Sequence, residues 1–132
     1  LGENTVYLDC DVIEADGGTR TASITGAYVA LARAVAAGES RGAFSPGVLA
    51  ASVAAVSVGV VDGACVLDLD YVEDSAAETD MNVAITGGGR YVEVQGSAER
   101  GAFTGTQLDA MLALARRGCR QVRAAQLAAI AR

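Results

Sequence analysis

The stretch VLAASVAAVSVGVV (Val48–Val61) carries no charge and is dense in β-branched residues. Branching at Cβ restricts χ1 and crowds a helical turn, so this run predicts a long strand. An apolar run without alternation is covered on both faces, which makes it core or subunit interface. Asp62-Gly63 follows at once, a dipeptide suited to the positive φ angles of a tight hairpin. The chain then returns as ACVLDLDYV (Ala64–Val72), a second strand. MNVAITGGGRYVEVQG (Met81–Gly96) repeats the scheme of strand, glycine turn and strand. Two hairpins in succession commit the chain to an antiparallel sheet.

The flanks are mixed. TVYLDCDVIEA (Thr5–Ala15) alternates loosely and is rich in β-formers, which predicts a strand. Ile24, Ala27, Tyr28, Leu31 and Val35 then recur at helical spacing, predicting a helix from Thr21 to Ala37. GESRGAFSPG (Gly38–Gly47) is a loop with the single proline, and marks the best internal boundary. After the hairpins, Thr104 or Thr106 can cap a helix whose face is Leu108, Met111, Leu112 and Ala115. Gly118 is expected to break it before a second helical stretch with Val122, Leu127 and Ile130. The order strand, helix, four strands, helices defines an α+β fold, a largely antiparallel sheet with helices packed on it. A lone strand and helix at the start bury little, so they are expected to complete a sheet whose other strands lie upstream. Leu1-Gly2-Glu3 is likewise no natural start.

With 132 residues the chain is one domain, or one domain and a piece of another. No apolar run approaches the ~18 residues of a membrane span, and no signal peptide is legible. Cys10, Cys65 and Cys119 are odd in number and widely spaced, and the sequence has no histidine. A zinc site is therefore not expected; buried free thiols in a reducing cytoplasm are. Without histidine, any chemistry falls to carboxylates, arginines, hydroxyls, backbone amides or a metal. The net charge is −6, and all ten basic residues are arginine. Five of them lie in residues 101–132 against a single Asp109, so the rest of the chain is strongly acidic. On charge alone this is a poor candidate for nucleic-acid binding. Arg116, Arg117, Arg120 and Arg123 form a basic helical face suited to solvent or a neighbouring subunit, with RNA contact as the alternative. The four tyrosines are too scattered for a base-stacking platform.

Two segments carry the chemical signal. EADGGTRTASITGAY (Glu14–Tyr28) places Gly17, Gly18, Thr19, Arg20 and Thr21 at the mouth of a helix. Glycines permit tight turns and close approach, and a helix start offers unpaired N–H groups and the positive end of a dipole. Arg20 adds a planar fork suited to phosphate. A plain capped turn accounts for the same letters, and the spacing matches neither a Walker loop nor a dinucleotide fingerprint. YVEDSAAETDMNV (Tyr71–Val83) crowds Glu73, Asp74, Glu78 and Asp80 between two strands. Asp74 and Asp80 can meet there as a Mg²⁺ seat, since magnesium takes one or two carboxylates and completes its shell with water or phosphate. A solvated acidic loop is the alternative. An anion seat and a cation seat together are what phosphoryl transfer requires.

The same segments carry a family resemblance. ADGGTRTASITGAYVAL (Ala15–Leu31), EDSAAETDMNV (Glu73–Val83) and VEVQGSAE (Val92–Glu99) resemble ribonuclease PH, from residue 1 to about residue 130. The family comprises phosphate-dependent 3′→5′ exoribonucleases that trim transfer RNA ends. The resemblance implies a ribosomal protein S5 domain 2-like fold and a hexameric ring built as a trimer of dimers, in the cytoplasm. It implies that inorganic phosphate, as co-substrate, attacks the last phosphodiester of RNA and releases a nucleoside diphosphate. Gly18, Thr19 and Arg20 would hold that phosphate, with Thr21 nearby. Asp74 and Asp80 would be catalytic and serve Mg²⁺ or Mn²⁺, Asp80 also assisting protonation of the leaving oxygen. Residues 1–40 would be the trailing strand and helix of the family's first half, and residues 47–132 its C-terminal domain. The family has roughly as much chain again before Leu1, with a further phosphate-binding arginine and most of the RNA-gripping surface. That half would be a separate partner or absent, in which case the chain is a non-catalytic fragment or scaffold subunit of such a ring. Smaller departures are Glu14 for Gln, Ser97 for Thr and Arg100 where Gly is common.

Overall fold

The apolar run forms the central strand of the molecule. The computed structural model describes residues 2–132. Strand β1 (Val53–Val61) is buried at every position except its two ends, because both of its faces are covered. It turns through Asp62 (φ 50°) and Gly63 (φ 74°) into β2 (Ala64–Leu67), with Val61 opposite Ala64. Its other edge pairs with β3 (Thr79–Thr86), which pairs in turn with β4 (Tyr91–Ala98). The sheet order is β2-β1-β3-β4, antiparallel throughout. The α+β class and the antiparallel sheet are as the sequence predicts.

Strand pleating divides the sheet into two faces. Ala54, Val56, Val58 and Val60 join Met81, Val83 and Ile85 against Met111, Ala115 and Cys119 of α3 (Gly105–Ile130). Ala55 and Ser57 point to the opposite face, which α1 (Thr19–Ser40) covers. There the Thr25 hydroxyl donates to the Ala55 carbonyl at 3.4 Å and accepts from the Ala55 N–H at 3.3 Å. At about 39 Å, α3 is longer than the strand it covers. Its C-terminal turns overhang, and the buried Gln126 amide donates to the Thr25 and Val53 carbonyls at 3.0 Å each. One side chain thereby ties α3, α1 and β1 together.

Several expectations change. Thr5–Ala15 is not a strand: it is an extended segment lying along α1, with Val6, Tyr7, Leu8, Val12 and Ile13 exposed. A strand is stabilised by its ladder, and among the described residues no strand lies beside this one. β1 begins at Val53, so Val48–Ser52 stays irregular. The return strand stops at Leu67; Asp68 takes φ 63°, and Asp70 caps a short helix, α2 (Tyr71–Ala76). α1 runs from Thr19 to Ser40, a turn longer than predicted, and Thr104 rather than Thr106 caps α3. Gly118 does not break α3. It is buried, and a Cβ there would stand 2.7 Å from Leu67 Cδ1, so the glycine serves close packing on β2.

The cysteines are free but differently placed: Cys10 is exposed, Cys65 half-buried and Cys119 buried. Burial pushes the Cys119 thiol above its ordinary pKa. A thiol reagent at neutral pH should therefore modify Cys10 first and Cys119 only after unfolding, as read by peptide mass spectrometry. Met111 is fully buried at the centre of the α3 face. Truncation to alanine leaves a cavity there, and Met111→Ala should cost about 2–5 kcal/mol in urea denaturation.

Candidate active site

The glycine loop is shaped by two close approaches. Gly18 precedes α1 with φ 70°, a left-handed conformation that favours glycine, and supplies no capping side chain. Gly17 lies so near the chain before α2 that a Cβ would sit 2.0 Å from the Leu69 carbonyl oxygen. The neighbouring Asp16 carboxylate accepts the N–H of Gly17 at 2.8 Å and that of Tyr71 at 2.6 Å. These contacts clamp the glycine loop to the start of α2. Segments separate in sequence thus meet through backbone.

The start of α1 is electrostatically open. The first helical backbone bond runs from Ala22 N–H to Gly18 O, leaving the amides of Thr19, Arg20 and Thr21 without a helical acceptor. No acidic residue occupies the first turn to offset the dipole. Thr21 is buried, and its hydroxyl donates to Gly18 O at 2.8 Å, so it stabilises the loop from within. Arg20 is exposed and reaches across to β4. Its NH1 and NH2 donate to Glu93 Oε1 and Oε2 at 2.5 and 2.8 Å. This is the one ion pair among the described residues. The hydrogen bonds from Arg20, aided by its charge, hold the Glu93 carboxyl below its ordinary pKa, and Glu93 raises that of Arg20.

α2 exists because Asp70 and Glu73 form a reciprocal capping box. The Asp70 carboxylate accepts the Glu73 N–H at 2.8 Å, and Glu73 accepts the Asp70 N–H at 3.2 Å. Asp74 is therefore on a helix, not in a loop, and Asp80 is on β3 opposite Gly59 and Ser97. Asp74 and Asp80 nevertheless line one cavity of about 430 Å³ with Ser75, Ala77, Glu99 and Arg100. The Arg100 guanidinium is held there by donating to the Ser75 carbonyl at 3.0 Å. No cluster of three or more His, Cys, Asp or Glu among the described residues is arranged to share a metal ion. Two carboxylates at one cavity still suit Mg²⁺ or Mn²⁺, which need no third.

Register orders these groups along the α1 face of the sheet. Asp80 opposes Ser97, Asn82 opposes Gln95, and Ala84 opposes Glu93, at about 7 Å per step. Ser57 pairs with Asn82, and its Oγ would stand 3.2 Å from a Cβ on Gly18. The glycine loop thus sits over the middle step. The carboxylate cavity flanks it on one side and the Arg20–Glu93 pair on the other. Gly18–Thr21 do not line the Asp74/Asp80 cavity. Asn82, Gln95 and Glu93 bring further polar groups to this face, and only the strand alternation 82-84 against 93-95 could have signalled them.

The arginine face divides. Arg116 and Arg120 line a cavity of about 270 Å³ with Arg123 and the Gly87–Gly89 turn, while Arg117 lies outside it. Arg116 Nε donates to Tyr91 Oη at 2.6 Å, its guanidinium 5.1 Å from the ring centroid. Arg123 Nε donates to Ser52 Oγ at 3.3 Å. None of these arginines meets a carboxylate among the described residues.

A Cβ on Gly17 would collide with backbone, which cannot rotate away. Gly17→Ala should destabilise by about 1–3 kcal/mol in urea denaturation. Gly26→Ala, on an exposed stretch of α1 where a Cβ meets nothing within 4 Å, should instead stabilise by up to about 1 kcal/mol.

Comparison with known proteins bears on the family and the fold. Residues 51–118 match the 3′ exoribonuclease family, domain 2. The chain is 58% identical over 130 residues to "Ribonuclease PH" of Corynebacterium glutamicum (strain R), covering 98% of this chain and 53% of that protein. It thus spans about half the length of that curated relative. Rice (Oryza sativa) Rrp46 has the same fold, with a TM-score of 0.70 at 12% identity over 91% of this chain and 51% of that one. The strand order, the antiparallel pairing and the match over β1 to α3 place the chain in the ribonuclease PH family, whose C-terminal, S5 domain 2-like domain it carries.

Proposed function

We propose that this chain supplies the phosphate seat and the carboxylate pair of a phosphorolytic 3′→5′ exoribonuclease, and that alone it is a non-catalytic subunit or fragment. The observation that carries this reading is the order along one sheet face: Asp74 and Asp80 at one cavity, the open start of α1 beside it, and Arg20 beyond. Thr19 and Arg20 amides, with the Arg20 guanidinium, would bind inorganic phosphate. Asp74 and Asp80 would hold Mg²⁺ or Mn²⁺, which when bound neutralises phosphodiester charge. Asp80 would also help protonate the leaving RNA oxygen.

Two features favour dependence on a further half. The carboxylate cavity has three acids and one arginine, a poor field for two incoming anions. The segment before α1 exposes the apolar side chains of Val6, Tyr7, Leu8, Val12 and Ile13, with no strand beside it among the described residues. On this reading residues 1–40 belong with that half, residues 47–132 form the C-terminal domain, and the assembly is a homo-oligomeric hexameric ring acting on transfer RNA 3′ ends. Free thiols suit a reducing cytoplasm. No described helix is long and apolar enough to cross a membrane.

The test is nucleoside diphosphate release from a 3′-tailed RNA with Mg²⁺, with and without inorganic phosphate. The chain alone should release none. Mixing it with the N-terminal half of the Corynebacterium relative should restore phosphate-dependent release, and Asp80→Asn should abolish it again. Phosphate-dependent release by the unmixed chain would show a complete site within these residues. Absence of release from the mixture would count against the catalytic assignment itself.

A further inference from the structure

The Arg20–Glu93 pair joins the first turn of α1 to the third residue of β4, on the sheet face that carries the proposed seat. Arginine has two bidentate edges: the NH1/NH2 end and the side formed by Nε with one terminal nitrogen. Glu93 occupies the end. The Arg20 Nε–H has no partner among the described residues, so the side edge remains open. The half-exposed guanidinium is therefore fixed without being used up.

Resting on the phosphate-seat reading, we propose that Glu93 is a positioning residue that holds Arg20 so its Nε edge meets the phosphate bound at the start of α1. Two effects compete. A carboxylate beside the guanidinium partly cancels the charge that attracts phosphate, which would weaken binding. It also immobilises a long side chain before the ligand arrives, which strengthens binding. The pair is exposed, so water and salt screen the first effect. Loss of side-chain freedom is not screened, and preorganisation prevails. The backbone amides of Thr19, Arg20 and Thr21 are fixed by the helix; the guanidinium is the mobile member of the seat, and Glu93 removes that mobility.

The experiment is titration of the chain with inorganic phosphate, observed at the Arg20 Nε–H resonance by NMR. The parent resonance should shift with added phosphate. Glu93→Gln, isosteric but with one accepting oxygen in place of two and no charge, should weaken phosphate binding about two- to tenfold. Glu93→Asp, which keeps both oxygens on a shorter stem, should fall between the two. Amide spectra matching the parent away from the site would confirm that both variants are folded. Unchanged or tighter binding in Glu93→Gln, with the parent responding normally, would overturn this role for Glu93 alone. A parent Arg20 resonance indifferent to phosphate would overturn the phosphate seat, and this inference with it.

Discussion

Burial of β1 on both faces is the constraint on which the other elements depend. A strand covered on one side needs one helix; Val53–Val61 has α3 on its even-numbered residues and α1 on Ala55 and Ser57. That second layer is what positions chemistry. Thr25 anchors α1 on Ala55, so the helix start falls over Ser57, one pairing step from Asp80. Had the outer face been left to solvent, alternation in the β1 sequence would suffice and α1 would have nothing to dock on. The small residues of this face, Ala55, Ser57 and Gly59, let a helix and the buried Leu69 lie close to the sheet. Packing and site geometry therefore have one cause.

Local signals were legible in proportion to how local their physics is. Asp62-Gly63, the glycine turn before β4 and the Thr104 cap are decided within a few residues, and each predicted its element. The Asp70–Glu73 capping box is equally local and was present in the letters, but the apolar residues around it read as a strand. Thr5–Ala15 failed for the opposite reason: its alternation is real, yet a strand forms only against a neighbour, and alternation cannot show whether one is there. Gly118 misled because helix propensity treats every glycine as a weakness, whereas here Leu67 fills the space a Cβ would take.

The site was legible as two loops and illegible as a surface. Gly18, Arg20, Asp74 and Asp80 stand out by residue type and spacing. Glu93 does not, because its partner is 73 residues away and only the β3–β4 register and the docking of α1 on the sheet bring the two together. Gly17 reads in the sequence as one of two glycines that permit a tight turn and close approach by a ligand. Its actual constraint is the Leu69 carbonyl, a contact no spacing rule encodes.

The charge distribution sets a condition on the proposed reaction between two anions. Its sixteen acids outnumber ten arginines, yet among the described residues only Arg20 forms an ion pair. Arg116, Arg120 and Arg123 gather on the α3 face, on the far side of the sheet from Asp74 and Asp80. They line a different cavity from the carboxylates, and salt screens exposed charges beyond about 10 Å. Arg20, on the correct face, is balanced by Glu93, and Arg100 stands alone among three acids. The proposed phosphate seat would therefore rest on backbone amides and one oriented guanidinium. On the proposed function, a phosphodiester beside it would need further positive charge, which a divalent cation and the surface of a further half would contribute.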